Sequence, residues 1–274
     1  MKSEKRTLGI LFVLTMIVLT IAYALPMYVV LVTSLKTPLE ISQRNYLIPS
    51  ANLQFGNYAQ AFKLILPALL NSTIISFSVT ALCAFFGGLG GYYLSRTRTT
   101  FSKILFVLVG VAVYLPYQVI LIPLVQLMSK TGLALTHFGL IGSYLILNVP
   151  LACVLMGTFL LGIPIELEEA AEVDGASKIQ IFFRVISPVA LPAYASVSII
   201  IFTQVWNEFL LALTLSTPRT QTIQLKLTEI KGSFVALYNL QMAAAIITLI
   251  VPLVFFLVLG QYFIKGILAG ALKG

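Results

Sequence analysis

Five of the nine acidic residues in this chain crowd into one short stretch: Glu166, Glu168, Glu169, Glu172 and Asp174. Carboxylates gathered this densely could hold a metal ion, act as a general acid and base, or present a charged rim to a basic partner. The first two chemistries need companions that the sequence lacks. His137 is the only histidine, so neither a His-based triad nor a multi-His metal site is available. Cys83 and Cys153 lie inside apolar stretches without metal-ligand spacing and read as small buried hydrophobes. No metal site and no catalytic residue is expected. A second set of polar groups lies within apolar runs. Glu208, preceded by Trp206 and Asn207, is an acid in a greasy stretch, which marks a functional site by default. Tyr114, Tyr117 and Gln118 flank Pro116, and Asn148 precedes Pro150. This mixture of aromatic and amide groups suits recognition of a sugar. Taken singly, each also fits helix-to-helix hydrogen bonding, Glu208 also fits pairing with a second subunit, and Trp206 also fits anchoring at a membrane boundary.

The elements that position these residues follow from composition. Of 274 residues, 59% are hydrophobic and 9% are charged, with a mean hydropathy of +1.01. A water-facing surface usually takes about 25% charged residues, so this is an integral membrane protein with lipid around it. The net charge of +8 is scattered between apolar runs rather than gathered into a patch, which argues against nucleic acid as a partner. Gaps between charges leave six apolar runs long enough for the about 20 residues that cross a bilayer core. Their backbones must bond internally, so helices are expected at 8–34, 68–95, 104–128, 138–161, 191–216 and 239–264. A basic start before the first run resembles a signal peptide, yet the run continues past Pro26 to Leu35, longer than such a leader. It reads as an uncleaved span of a single domain, 1–274. Lys2, Lys5, Arg6, Arg96, Arg98, Lys103, Lys178, Arg184, Lys265 and Lys273 fall on the side of the N-terminus. Seven other basic residues fall opposite. The bias puts both termini and the acidic segment in the cytoplasm. Gly87, Gly88, Gly90 and Gly91 are expected to let helices approach closely.

The acidic segment spans 164–188. Pro164 suits a first helical turn, and Glu166, Glu168 and Glu169 follow where the helix dipole favours negative charge. Asp174–Gly175 stops that helix. Ser177 and Gln180 have capping-box spacing for a second one, on which Ile179, Phe182, Phe183 and Ile186 form a single apolar stripe. The segment is thus a helix, a glycine turn and a second helix ending near Pro188. It is either a solvated connector resting on the chain's own spans or a knob that docks in a groove of a soluble partner.

At this point the residues resemble a known family. Glu169-Ala170-Ala171, then Gly175, then Val185, Ser187 and Pro188 at the positions of an Ile, a Leu and a Pro, are similar to the EAA loop of ABC importer permeases. The two substitutions are mild and leave the glycine-to-proline spacing intact. SLKTPLEI from Ser34, NYAQAF from Asn57, NS at Asn71, YYLSR ending at Arg96, WNEF from Trp206 and GILAGALKG from Gly266 resemble the carbohydrate-type, maltose-like subfamily over nearly the whole chain. The resemblance implies an all-α, six-helix, type I importer permease in a bacterial or archaeal plasma or inner membrane. Its partners would be a second permease, two cytoplasmic ATPase subunits and an extracytoplasmic substrate-binding protein. ATP and Mg would be bound by the ATPase subunits; no cofactor belongs to this chain, which has no Walker-type phosphate loop. The resemblance also assigns the 164–188 segment to coupling, with Gly175 setting the turn, Glu169 facing a basic residue of the ATPase, and Phe182 and Phe183 filling its cleft beside Ala170, Ala171, Asp174 and Pro188. The expected activity is transport of a sugar or polyol. A non-sugar solute and an ATPase-independent secondary transporter are the alternatives, the latter disfavoured because only Glu208 could carry a coupling charge.

Overall fold

A computed structural model describes residues 2–97, 99–231 and 237–271, with 2–8, 231 and 263–271 as backbone. Arg98 and Lys273, two of the orientation residues, lie outside the described residues, as does the end of the GILAGALKG tail. Every regular element described is helical: α1 Lys2–Ser34, α2 Pro38–Ser42, α3 Gly56–Arg96, α4 Thr100–Val113, a short 3₁₀ turn Tyr117–Ile120 and α5 Leu121–Lys130. After these come α6 His137–Leu161, α7 Glu166–Val173, α8 Lys178–Ile181, a π turn Phe182–Ile186 and α9 Ser187–Val189. The chain closes with α10 Leu191–Asn207, α11 Leu210–Leu215, α12 Ile223–Lys231 and α13 Tyr238–Ala271. Four stretches are single apolar helices long enough to cross a bilayer: Gly9–Ser34, Gly56–Arg96, His137–Leu161 and Tyr238–Tyr262. Two further candidates are bent pairs, Thr100–Val113 with Tyr117–Lys130 at 94° and Lys178–Val189 with Leu191–Asn207 at 76°. The fold is therefore a multi-pass membrane protein with four spans, or up to six if each bent pair crosses once.

Local chemistry explains most helix ends. Thr99 and Thr136 accept from the backbone N–H of Ser102 and Gly139, at 3.2 and 3.0 Å, and so cap α4 and α6. The bend where a third span is expected falls at Pro116, which lacks the N–H needed to continue α4. Prolines inside α1, α3, α6 and α13 (Pro26, Pro67, Pro150 and Pro252) are accommodated within the helices.

The chain divides into two compact units. The first comprises Met1–Leu66 and Lys226–Leu249. Its side chains from Gly9 to Tyr28 are all exposed, a helical surface left for lipid or another chain. Its loop is held by polar contacts: Asn57 Nδ2 donates to the carbonyls of Ser34 and Lys36, both at 2.9 Å, and Asn57 Oδ1 accepts from Asn239 at 3.0 Å. Lys36 is buried and donates to the Asn45 carbonyl. Thr37 and Glu40 form a capping box on α2. The Ser50 hydroxyl, and then Thr37, hold the Glu40 carboxyl below its ordinary value.

The second unit, Pro67–Leu225 with Ile250–Gly274, contains the principal apolar core. Ile75, Val79 and Cys83 meet Leu140, Tyr144, Met156, Val197, Ile201 and Val205 there. The helices α3 and α6 touch backbone to backbone: a Cβ on Gly91 would lie 2.6 Å from the Gly157 nitrogen and 2.9 Å from the Cys153 carbonyl oxygen. Neither backbone atom can swing aside, so only glycine fits at Gly91. Asn71 Nδ2 donates to the carbonyls of Arg219 and Gln221, at 2.9 and 3.1 Å, while its Oδ1 meets His137 Nε2 at 2.9 Å. That bond gives His137 a structural task at the start of α6.

Candidate functional site

The 164–188 segment and a cavity around Glu208 carry the polar residues of interest, and both lie within the second unit. In the segment, α7 begins at Glu166 rather than at Pro164, which sits before the helix. Glu166, Glu168 and Glu169 occupy its first turn. Gly175 has φ +84°, a left-handed conformation that a side chain resists, so it makes the turn. Ser177 and Gln180 form the reciprocal capping box of α8, with the Ser177 N–H donating to Gln180 Oε1 at 2.8 Å.

The five acids are not equivalent. Glu166, Glu169, Glu172 and Asp174 are exposed, and Glu172 pairs with Lys178. Glu168 is buried at 5% exposure, with Arg96 Nε 2.5 Å from Oε1 and the Tyr92 hydroxyl donating to Oε2 at 2.7 Å.

The apolar stripe also divides. Ile179 and Phe183 are 71% and 49% exposed, whereas Phe182 and Ile186 are buried with Ile181. Phe182 packs on Tyr92, ring centroids 5.1 Å apart, and Phe183 sits edge-on to Phe182 at 4.9 Å. The expectation that Phe182 fills a partner's cleft is therefore corrected: it belongs to this chain's own core. The reason is local. The α8 helix lasts four residues and passes into a π turn, whose wider winding shifts the faces that a regular 3.6-residue period assigns. Of the remaining segment residues, Ala170 and Pro188 are exposed and Ala171 packs partly against the core.

The second site is a cavity of about 570 Å³ lined by α4, the Pro116 bend, α6 and the end of α10. Its size falls within the usual range for small-molecule sites. Glu208 lies on its wall, but in a break rather than inside a helix. The expected continuous span 191–216 ends at Asn207, Glu208 is extended (ψ 133°), and α11 restarts at Leu210. A new helix start exposes unpaired N–H groups, and the Glu208 side chain takes two of them. Its Oε1 accepts from the Leu211 N–H at 2.8 Å and from the Tyr117 hydroxyl at 3.0 Å. Its Oε2 accepts from the Ala212 N–H at 3.2 Å and from the Tyr144 hydroxyl at 2.8 Å. One carboxylate thus ties the α10–α11 break to the Pro116 bend and to α6.

Of the residues singled out in the sequence, the structure brings Tyr117, Asn148 and Glu208 together on the cavity wall. Tyr114, 89% exposed, and Gln118, also exposed, do not line it. Trp206 is buried and stacks on Phe202, which stacks in turn on Phe255 at 4.1 Å. That packing removes Trp206 from any role as a stacking platform for a ligand. Asn207 is exposed, donates to the Thr203 carbonyl and accepts from Gln224. Tyr144 and Gln204 line the cavity without having been singled out. Each lies four residues before a residue that was, Asn148 and Glu208, so helical spacing carried the signal. No group of three potential metal ligands occurs among the described residues.

Comparison with known proteins places both sites in a family context. Residues 85–268 match the family described as the binding-protein-dependent transport system inner membrane component, a range that holds both the 164–188 segment and Glu208. The chain is 31% identical over 264 residues to the glucose import system permease protein GlcU of Saccharolobus solfataricus, covering 93% of this chain and 92% of that protein. It is 31% identical over 257 residues to the melibiose/raffinose/stachyose import permease protein MelC of Bacillus subtilis, covering 92% of each. Its fold matches a chain in the crystal structure of a bacterial ABC transporter that imports the acidic polysaccharide alginate. The TM-score is 0.81 with 19% identity, over 95% of this chain and 97% of the other. This chain belongs to the family of binding-protein-dependent transport system inner membrane components, as a multi-pass ABC-importer permease that transports rather than catalyses.

Proposed function

We propose that this chain forms half of the translocation pathway for a neutral, hydroxyl-rich solute of the sugar or polyol class. The observation that carries this reading is the charge balance of the cavity. Glu208 is the only charged side chain among the lining residues, and four donors of the protein already converge on it. A cationic cargo would have to displace those donors, and an anionic one would meet a carboxylate with no cation beside it. Neutral hydroxyls need only amide and phenol partners. Gln204, whose side chain makes no hydrogen bond among the described residues, Asn148 and Tyr117 supply them. Relatives named for import of glucose and of melibiose support the same class.

Power would reach the pathway through the 164–188 segment. With α4 and α5 counted as one crossing and α10 with α11 as another, the chain has six spans, both termini on one side, and this segment on that same side. Lysines and arginines near the span ends assign that side to the cytoplasm. There the exposed Glu169, Ile179 and Phe183 would meet an ATPase subunit, which holds ATP and Mg. A second permease would complete the pathway in a bacterial or archaeal plasma membrane, and an extracytoplasmic binding protein would deliver cargo. Closure of the ATPase pair would then move the segment and switch the pathway's access.

The test is uptake by proteoliposomes containing the complete importer, challenged with neutral saccharides, uronate oligosaccharides and amino acids. Neutral saccharide uptake is expected. Gln204→Ala should lower its uptake rate at low cargo concentration by about three- to tenfold through loss of one hydrogen bond to the cargo. Uptake of uronates or amino acids in place of saccharides would refute the assignment.

A further inference from the structure

The α7 helix presents an unusual way of being held. Its eight residues include one buried side chain, and that side chain is Glu168. Leu167 and Val173 are 42% and 88% exposed, and Ala171 is only partly covered. Apolar packing therefore fastens this helix weakly. What fastens it is polar and comes mostly from the last turn of α3. Tyr92 and Arg96, four residues apart and so on one helix face, each take a different oxygen of the Glu168 carboxylate, at 2.7 and 2.5 Å. Arg96 Nη2 also donates to the Ile163 carbonyl at 2.9 Å, just ahead of α7. The Tyr92 ring packs on Phe182 beyond the glycine turn. Two residues of α3 thus grip the segment before α7, within α7, and after it.

We propose that the Tyr92–Arg96–Glu168 cluster is a strut that passes displacement of the 164–188 segment to the α3 helix, which makes these three positioning residues for transport. Resting as it does on the coupling role proposed above, it adds where the displacement goes. A carboxylate held at both oxygens by donors on one rigid helix resists sliding and rotation together. An apolar contact between smooth surfaces resists sliding poorly. The arrangement is also enclosed: the Arg96 and Glu168 side chains are 14% and 7% exposed, so water and salt screen the pair little. Movement of α7 away from α3 would strand a buried charge, so the two elements travel as one body.

The experiment uses the complete importer in proteoliposomes, with Cys83→Ala and Cys153→Ala as the reference background. Arg96→Cys and Glu168→Cys are added together and then bridged, or left unbridged, with a short bis-methanethiosulfonate. The unbridged complex is expected to retain its ATPase subunits and hydrolyse ATP, while cargo moved per ATP falls because nothing then ties α7 to α3 against sliding. Bridging should bring that ratio back towards the reference. A second variant guards against a folding defect: Tyr92→Phe removes one hydroxyl and should lower cargo per ATP by about threefold at unchanged hydrolysis. An unbridged complex that couples like the reference, a bridge that arrests transport, or an unchanged ratio in Tyr92→Phe would overturn the strut. Failure of the reference complex to hold ATPase subunits on the 164–188 segment would instead overturn the coupling role on which the strut rests.

Discussion

Glu208→Ala is expected to abolish uptake and to lower the melting temperature of the detergent-solubilised importer. Truncation strands the hydroxyls of Tyr117 and Tyr144 and the N–H groups of Leu211 and Ala212. Each donor left unpaired in the interior costs about 1–3 kcal/mol, and those of Tyr144, Leu211 and Ala212 belong to buried residues. The damage is also architectural, because these bonds hold three elements at the break between α10 and α11. Glu208→Gln separates this scaffolding role from direct contact with cargo. Its amide nitrogen would face donors, among them a backbone N–H that cannot turn to accept, so stability should fall partway. The half-saturating cargo concentration should stay close to wild type. A wild-type melting temperature for Glu208→Ala, or a large shift in half-saturation with unaltered stability for Glu208→Gln, would count against the scaffold.

The second large effect is expected at the outward face of α8 and the π turn. Ile179→Asp combined with Phe183→Asp should release the ATPase subunits while leaving the permease folded. These two side chains are the large apolar groups that this part of the segment leaves in water, and exposed apolar groups beside a charged rim suit an interface. An anchor at such a centre contributes about 2 kcal/mol or more. The pair should therefore weaken assembly by at least about thirtyfold. Phe182→Asp offers the contrast, since it buries a charge in this chain's own core and should destabilise the permease itself. Retention of ATPase subunits by the Ile179 and Phe183 double variant, measured by co-purification, would show that the contact lies elsewhere.

Features set by neighbouring residues were legible in the sequence. The turn at Gly175 and the box between Ser177 and Gln180 each depend on residues a few positions apart, and the local residue types dictate them. The close approach of α3 to α6 at Gly91 was legible in kind, since a cluster of glycines has few other uses in a span. Less legible was anything decided by distant contacts. Asn71 meets Arg219 and Gln221, and Glu168 meets Tyr92 and Arg96, across separations that no local pattern encodes. The split of the Ile179–Ile186 stripe was hidden because a π turn leaves the residue types of a regular helix unchanged. Likewise the break at Glu208 contains no proline or glycine. The Glu208 carboxylate at that break is held by donors from Tyr117 and Tyr144, and those became visible only when the elements were packed together.

The segment's role as the contact with the ATPase is tested most directly by placing single cysteines at Ile179, Phe182, Phe183 and Ile186 in the Cys83→Ala, Cys153→Ala importer. Each is treated with a thiol-directed photo-crosslinker and the adducts are identified by mass. Adducts with an ATPase subunit are expected at Ile179 and Phe183, with little or none at the buried Phe182 and Ile186. Equal yields at all four positions, or no ATPase adduct at Ile179 and Phe183, would contradict a docking face on the 164–188 segment.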